Sequence, residues 1–213
     1  GYNFSWAGVP IIQFPADIVV LQELIWQYRP DLVVETGVAR GGSAALYCSL
    51  LGLLDLSEDG ERNVTRRYLG IDLDLRPHVR EVFEDHPLVG QYAVALQGSS
   101  IDPGLFEQVA GIAADHSRIV VILDSNHSHE HVLAELRAYS ILIPVGGYIV
   151  VFDTSIEWDE HWELTERHWG PGNSPHSALS QFLSENENFG RDILLSSKAL
   201  ISCMPGGVIR RLT

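Results

Sequence analysis

A doubly wound α/β fold with a mostly parallel sheet and a C-terminal antiparallel hairpin is predicted by three features of the 213-residue chain. Short β-branched runs alternate with amphipathic stretches five times in succession. Each run ends on a polar or glycine-rich group, at Glu35, Asp72, Ser99, Asp124 and Asp153. The first run, Val33-Val34-Glu35, opens into the glycine loop Thr36-Gly37-Val38-Ala39-Arg40-Gly41-Gly42-Ser43. In an open α/β sheet, ligands bind beyond the carboxyl ends of the strands, so the polar ends mark the expected site.

Residues 1–16 carry Phe4, Trp6, Pro10, Ile11, Ile12 and Phe14 without a clean period. They read as an arm laid over the domain or against a partner subunit. From Asp17 the spacing of Ile18, Leu21, Leu24, Ile25 and Tyr28 predicts a helix that Arg29-Pro30 stops. A strand follows over 31–35, then a helix over 43–54 and a polar surface loop over 56–67. The next units are strand 67–72 with helix 77–84, strand 92–96 with helix 103–113, and strand 119–123 with helix 128–142. Strand 147–152 is the last of the parallel set. Beyond it, 154–175 reads as a substrate loop or lid, 178–185 as a helix and 191–195 as a strand. Residues 199–211 read as a closing hairpin turned at Pro205-Gly206-Gly207. Nothing requires a second domain, so 1–213 is expected to be one unit with 1–30 as N-terminal arm and helix.

Composition removes several functional classes. With 14 Lys plus Arg against 28 Asp plus Glu, the formal charge of −14 repels a phosphate backbone, and nucleic acid is excluded as substrate. No run reaches the roughly 18 apolar residues of a membrane span, and the start lacks a secretory signal pattern, so a cytoplasmic protein is expected. Cys48 and Cys203 are too few for a disulfide framework.

The loop selects the ligand. A dinucleotide fold asks for Gly-x-Gly-x-x-Gly after the first strand, whereas this chain has Glu-x-Gly-x-x-x-Gly from Glu35 to Gly41. That form resembles class I methyltransferases, in which the loop wraps the amino-acid end of S-adenosylmethionine. Asp72, with Asp74 as its alternative, stands where an acid accepts ribose hydroxyls. The spacing from Gly37 exceeds the roughly 20 residues usual in dinucleotide folds, and the insertion at 56–67 accounts for the excess.

Asp124-Ser125-Asn126-His127-Ser128-His129-Glu130-His131 is the densest polar cluster of the chain. His127 and His131 share a helical spacing that suits zinc, but Glu130 stands in the wrong place for His-Glu-x-x-His. In the competing reading Asp124 and Asp153 hold a hard cation such as Mg²⁺ and His127 is a general base beside it. His129 and His131 are then expected on a solvated helix face. Trp158, Trp162, Trp169 and His168, around Gly170-Pro171-Gly172-Asn173, are read as an aromatic wall for a sugar or apolar acceptor, or as a packed lid.

Taken together, Glu35 to Ser43, Gly70-Ile71-Asp72-Leu73-Asp74, Gln97-Gly98-Ser99-Ser100, Asp124-Ser125-Asn126-His127 and Gly170-Pro171-Gly172-Asn173 resemble the cephalosporin hydroxylase family. Its members are class I S-adenosylmethionine-binding proteins, many of them O-methyltransferases, and the metal-dependent macrolide-sugar O-methyltransferases are more distantly similar. The resemblance implies a Rossmann-like fold and methyl transfer to a hydroxyl of a small molecule, a sugar unit or secondary metabolite. It assigns the methionine end to Glu35, Gly37 and Gly41, with Ala39 and Ser43 in the same loop, the ribose to Asp72 or Asp74, and the adenine region to Ser99 or Ser100. Asp124 would border the cofactor and ligate Mg²⁺ with Asp153, His127 would be the base, and Trp158, Trp169 and Asn173 would face the acceptor. One departure stands out. The relatives' Glu-Asp pair after strand five falls on Phe152 and Asp153, and a phenyl ring ligates nothing, so Glu157 or water would have to substitute. A hydroxylase and a non-catalytic cofactor-binding subunit are the rival readings, and the apolar arm suggests a homo-oligomer.

Overall fold

The computed structural model describes residues 4–59, 64–161 and 166–213. The arm forms a two-stranded hairpin, β1 (Phe4–Trp6) and β2 (Val9–Ile11), turned at Ala7-Gly8. It packs on the chain's own helix, because Trp6 Nε1 donates to Ser49 Oγ at 3.0 Å. Helix α1 (Pro15–Tyr28) buries Val20, Leu21, Leu24 and Ile25, and Arg29 ends it in the left-handed conformation.

The repeating units then follow as β3 (Leu32–Thr36), α2 (Gly42–Asp59), β4 (Arg67–Asp72), α3 (Pro77–Asp85), the short α4 (Val89–Tyr92) and β5 (Ala93–Gln97). After them come α5 (Pro103–Ala113), β6 (Ile119–Leu123), α6 (His129–Tyr139) and β7 (Tyr148–Val151), and the chain closes with α7 (Pro175–Glu185), β8 (Phe189–Arg191), α8 (Ile193–Ser196) and β9 (Val208–Arg211). The seven-stranded sheet has the order β5-β4-β3-β6-β7-β9-β8, parallel up to β7 and antiparallel for the last two strands.

Alternation along the strands divides the core in two. Val33, Tyr68, Val120, Ile122 and Val150 face α1 and α2, while Val34, Leu69, Val121, Leu123 and Ile149 face α5, α6 and α7. Glu35 has the parity of Val33, so it points into the α2 side instead of toward solvent. The direction of winding reverses between β3 and β6, and the strand ends are stitched there: Asp124 N donates to Thr36 O at 3.0 Å and Gly37 N to Ile71 O at 2.8 Å. This reversal opens the crevice that holds the site.

Three expectations need correction. Residues 56–59 continue α2 instead of starting a loop, since Arg29 and Arg66 bond Glu58 and anchor that last turn; 60–63 lie outside the described residues. Strand 191–195 ends at Arg191, because the Asp192 side chain accepts from Leu195 N at 3.0 Å and caps α8, leaving Ile193 and Leu194 exposed. The arms of the antiparallel closure are β8 and β9, not the two halves of 199–211. Residues 199–207 instead form an irregular loop held by Cys203 N to Asp17 Oδ2 at 2.9 Å and Thr154 Oγ1 to Pro205 O at 3.0 Å.

Candidate active site

The glycine loop can come this close to β6 only without a side chain at Gly37. A Cβ there would lie 2.1 Å from Asp124 O, and its φ of +89° is one that L residues rarely adopt. Asp72 fixes the rest of the loop. Its Oδ2 accepts from Val38 N and Ala39 N, each at 3.0 Å, and its Oδ1 accepts from Asp74 N at 3.0 Å. These bonds hold Ala39 at a φ of +49°. Asp72 also lines a cleft of about 250 Å³ with Gly37, Gly98, Ser99, Ser100 and Trp169. Asp74 pairs instead with exposed Arg76 and does not reach that cleft.

Glu35 lies behind the loop and supports it, held by Ser43, which also borders the small space beside the loop. Ser43 Oγ donates to Glu35 Oε2 at 2.8 Å, and Tyr68 Oη donates to the same oxygen. Complete burial outweighs both bonds and pushes the Glu35 carboxyl up to about 8, so it is largely protonated at neutral pH. Gly41, with a φ of +86°, lets the loop pass Val82.

The far end of the cleft is a polar network that the sequence had not suggested. Ser100 Oγ and Ser125 Oγ donate to Glu135 Oε1 at 2.5 and 2.7 Å, and His131 Nε2 lies 3.1 Å from Ser100 Oγ. His131 therefore lines the cleft instead of a solvated helix face. His129 is also engaged, its ring bonded to Ser177 and Gln181. The spacing of His131 and Glu135, one helical turn apart, was the available signal.

Across Trp169 lies a second cavity of about 450 Å³, lined by residues far apart in sequence, among them Gln13, His127, Phe152, Asp153, Arg167 and Cys203. Asp124 and Trp169 border it too. Asp124, His127 and Asp153 present ligand atoms within 4.8 Å of one another, as one oxygen-nitrogen-oxygen set. Asp153 sits at a strained φ of +53° two residues beyond the end of β7. Its Oδ2 is 3.0 Å from His127 Nδ1, which leaves Nε2 for other chemistry, and the His127 ring lies 5.3 Å from the Trp169 ring. Burial, with Asp153 as the next cause, holds the Asp124 carboxyl well above the usual carboxylate range. Such repulsion is what a bound cation relieves. Phe152 is packed into the core and offers no ligand. Glu157 does not replace it, because its carboxylate receives Gly172 N and Ser174 Oγ.

Trp158 and Asn173 line neither cavity. Trp158 packs on His176 with ring centroids 4.7 Å apart. Asn173 Oδ1 accepts from His129 N and its Nδ2 donates to His168 O, so it latches the 166–174 segment to α6. Trp162 lies outside the described residues. Burial raises both cysteine thiols, which argues against a thiolate nucleophile.

Residues 1–212 match the rhamnosyl O-methyltransferase/CmcI family. The chain belongs to that family. Its enzyme class is therefore S-adenosylmethionine-dependent O-methyltransferase, and the sheet above is the family's Rossmann-like scaffold. A rhamnosyl O-methyltransferase of Mycobacterium tuberculosis (strain H37Rv) is 28% identical over 214 residues, spanning 97% of this chain and 78% of the relative. A CmcI structure with Mg and SAM superposes with a TM-score of 0.71 at 20% identity, covering 100% of this chain and 78% of that one. The MycE methyltransferase of the mycinamycin pathway, in complex with Mg, SAH and mycinamycin VI, gives a TM-score of 0.51 at 18% identity over 77% of this chain and 41% of that one. Among the described residues, no helix is long and apolar enough to cross a membrane.

Proposed function

We propose that this family member methylates a hydroxyl of a sugar unit, a rhamnosyl or similar deoxyhexosyl group on a larger molecule, with Mg²⁺ held by Asp124 and Asp153 and with His127 as general base. One observation carries the reading. The Asp124, His127 and Asp153 set stands at the acceptor cavity, and Trp169 is shared with the cleft lined by the glycine loop. The names of the M. tuberculosis relative and of the CmcI and MycE complexes support the same chemistry.

The residues present fit both bound groups: a glycine cradle at Gly37 for the cofactor, and the Asp124 and Asp153 carboxylate oxygens for the cation, with the His127 ring beside them. When bound, S-adenosylmethionine supplies an electrophilic methyl, and Mg²⁺ lowers the pKa of an acceptor hydroxyl. The chain's own residues do the rest. Asp72 holds the loop to the cleft, and Ser99, Ser100 and Ser125 line the end that would take the adenine. Asp153 accepts from His127 Nδ1–H, which orients the ring and leaves Nε2 basic toward the acceptor cavity. Nε2 then takes the acceptor proton. Trp169 borders both cavities, and bringing cofactor and acceptor together beside it lets proximity and alignment supply much of the rate. A cytoplasmic setting belongs to the same reading, as does pairing of copies through the arm, where Phe4 is exposed.

The test is transfer of labelled methyl from S-adenosylmethionine to a panel of rhamnosylated and unglycosylated hydroxyl compounds, with Mg²⁺ and with a chelator. Label on the sugar, lost with the chelator, is expected. Label only on non-sugar hydroxyls, or transfer unaffected by the chelator, would overturn the substrate class or the metal role respectively.

A further inference from the structure

The arm reaches the site for a structural reason. A Cβ at Gly42 would lie 2.2 Å from Pro10 O, so the missing side chain lets β2 lie against the start of α2. The chain leaving β2 therefore crosses the glycine loop before α1 begins. On this crossing sits Gln13, only 6% exposed, and neither its Nε2 nor its Oε1 has a hydrogen-bond partner in the protein. The Tyr47 hydroxyl lies beside the Gln13 carboxamide, but neither group completes a hydrogen bond of good geometry, so Tyr47 is orphaned with it.

Two orphaned amide groups are a poor feature for a merely structural residue. A buried polar group left unpaired loses its hydration without compensation. Gln13 borders a pocket of about 20 Å³ beside the loop, shared with Gly37, Ser43 and Asp124, as well as the acceptor cavity. A space that small admits one group the size of a water molecule. It excludes a sugar ring but accepts one terminal group, an ammonium or a carboxylate oxygen, and the larger cavity that Gln13 also borders leaves room for the second.

We propose that Gln13 is the arm's contact with the amino-acid end of S-adenosylmethionine, its carbonyl receiving the α-ammonium and its NH₂ donating to the α-carboxylate. This rests on the cofactor assignment above and adds the arm to the cofactor site. A carboxamide suits the task because it offers a donor and an acceptor together without a charge.

The experiment compares two probes by calorimetry on the intact chain: S-adenosylhomocysteine, and 5′-methylthioadenosine, which keeps the nucleoside and sulfur but lacks the amino acid. Gln13→Met preserves volume and removes both hydrogen bonds; Gln13→Glu keeps the acceptor and places a negative charge against the carboxylate. Both variants should bind S-adenosylhomocysteine about 10-fold or more weakly, as the loss of two hydrogen bonds implies. Binding of 5′-methylthioadenosine should stay within about 2-fold of wild type. Equal loss on both probes would mean Gln13 only supports the fold. Unchanged S-adenosylhomocysteine binding, with or without a raised KM for the acceptor, would also overturn the assignment. If wild type binds neither probe, the cofactor assignment itself falls and this contact falls with it.

Discussion

The two halves of the crevice are built by different physics. The cofactor half, at the ends of β3, β4 and β5, is backbone architecture: a positive-φ glycine against Asp124 O and a loop clamped through its amides by Asp72. The acceptor half, beyond β6 and β7, is a convergence of side chains from the arm, two strand ends, the segment after 165 and the loop before β9. The first kind of site depends on where the chain turns, whereas the second depends on which distant residues meet. Damage to the first should cost cofactor binding and stability together, and damage to the Asp124, His127 and Asp153 set of the second should cost turnover alone.

The sharpest separation comes from His127→Ala. Turnover should fall by about 10²–10⁴-fold, the usual worth of a positioned base, with S-adenosylhomocysteine affinity unchanged by calorimetry. A parallel loss of cofactor affinity would erase the division. Asp153→Asn comes next. It should raise the Mg²⁺ concentration needed for half-maximal activity by about 10–100-fold, judged by the cost of losing even an outer partner of a ligand. On the cofactor side, Gly37→Ala should lower unfolding free energy by more than about 1 kcal/mol in denaturant titration and weaken cofactor binding in the same protein.

Legibility in the sequence divides along the same line. Strands Arg67–Asp72 and Ile119–Leu123 and helix Pro103–Ala113 were readable to the residue, because period and flanking prolines or polar ends fix them locally. The glycine loop and Asp72 were readable for the same reason, although the carboxylate clamps the loop as well as lining the cleft. Asp124, His127 and Asp153 were placed together by their positions after neighbouring strand ends and again by resemblance, and the fold brings their ligand atoms within 4.8 Å. Gln13 and Cys203 were not legible as site residues, since nothing local marks a residue that acts by arriving from the other end of the chain. Trp158 shows the converse. An aromatic residue in a promising segment turned out to pack on His176.

Two smaller effects sharpen the contrast. Folded Glu35 holds its proton up to about pH 8, whereas its ordinary value is 4.5. Between these values unfolding releases a proton, so stability should fall as pH rises through that window and level off above it. Glu35→Gln should flatten this slope in thermal melts taken from pH 5 to pH 9, and an unchanged slope would place the ionisation elsewhere. Trp158→Ala should leave kcat/KM for the acceptor within about 2-fold and stability within about 0.5 kcal/mol, as expected for a surface substitution.

The division is tested most directly by titrating S-adenosylhomocysteine into the wild-type protein with Mg²⁺ and again with a chelator, alongside methyl transfer in the same two buffers. The account predicts the same dissociation constant in both, with turnover lost only in the chelator. Cofactor binding that disappears with the metal would contradict it, because the glycine loop and the Asp124–Asp153 centre would then be one site and not two.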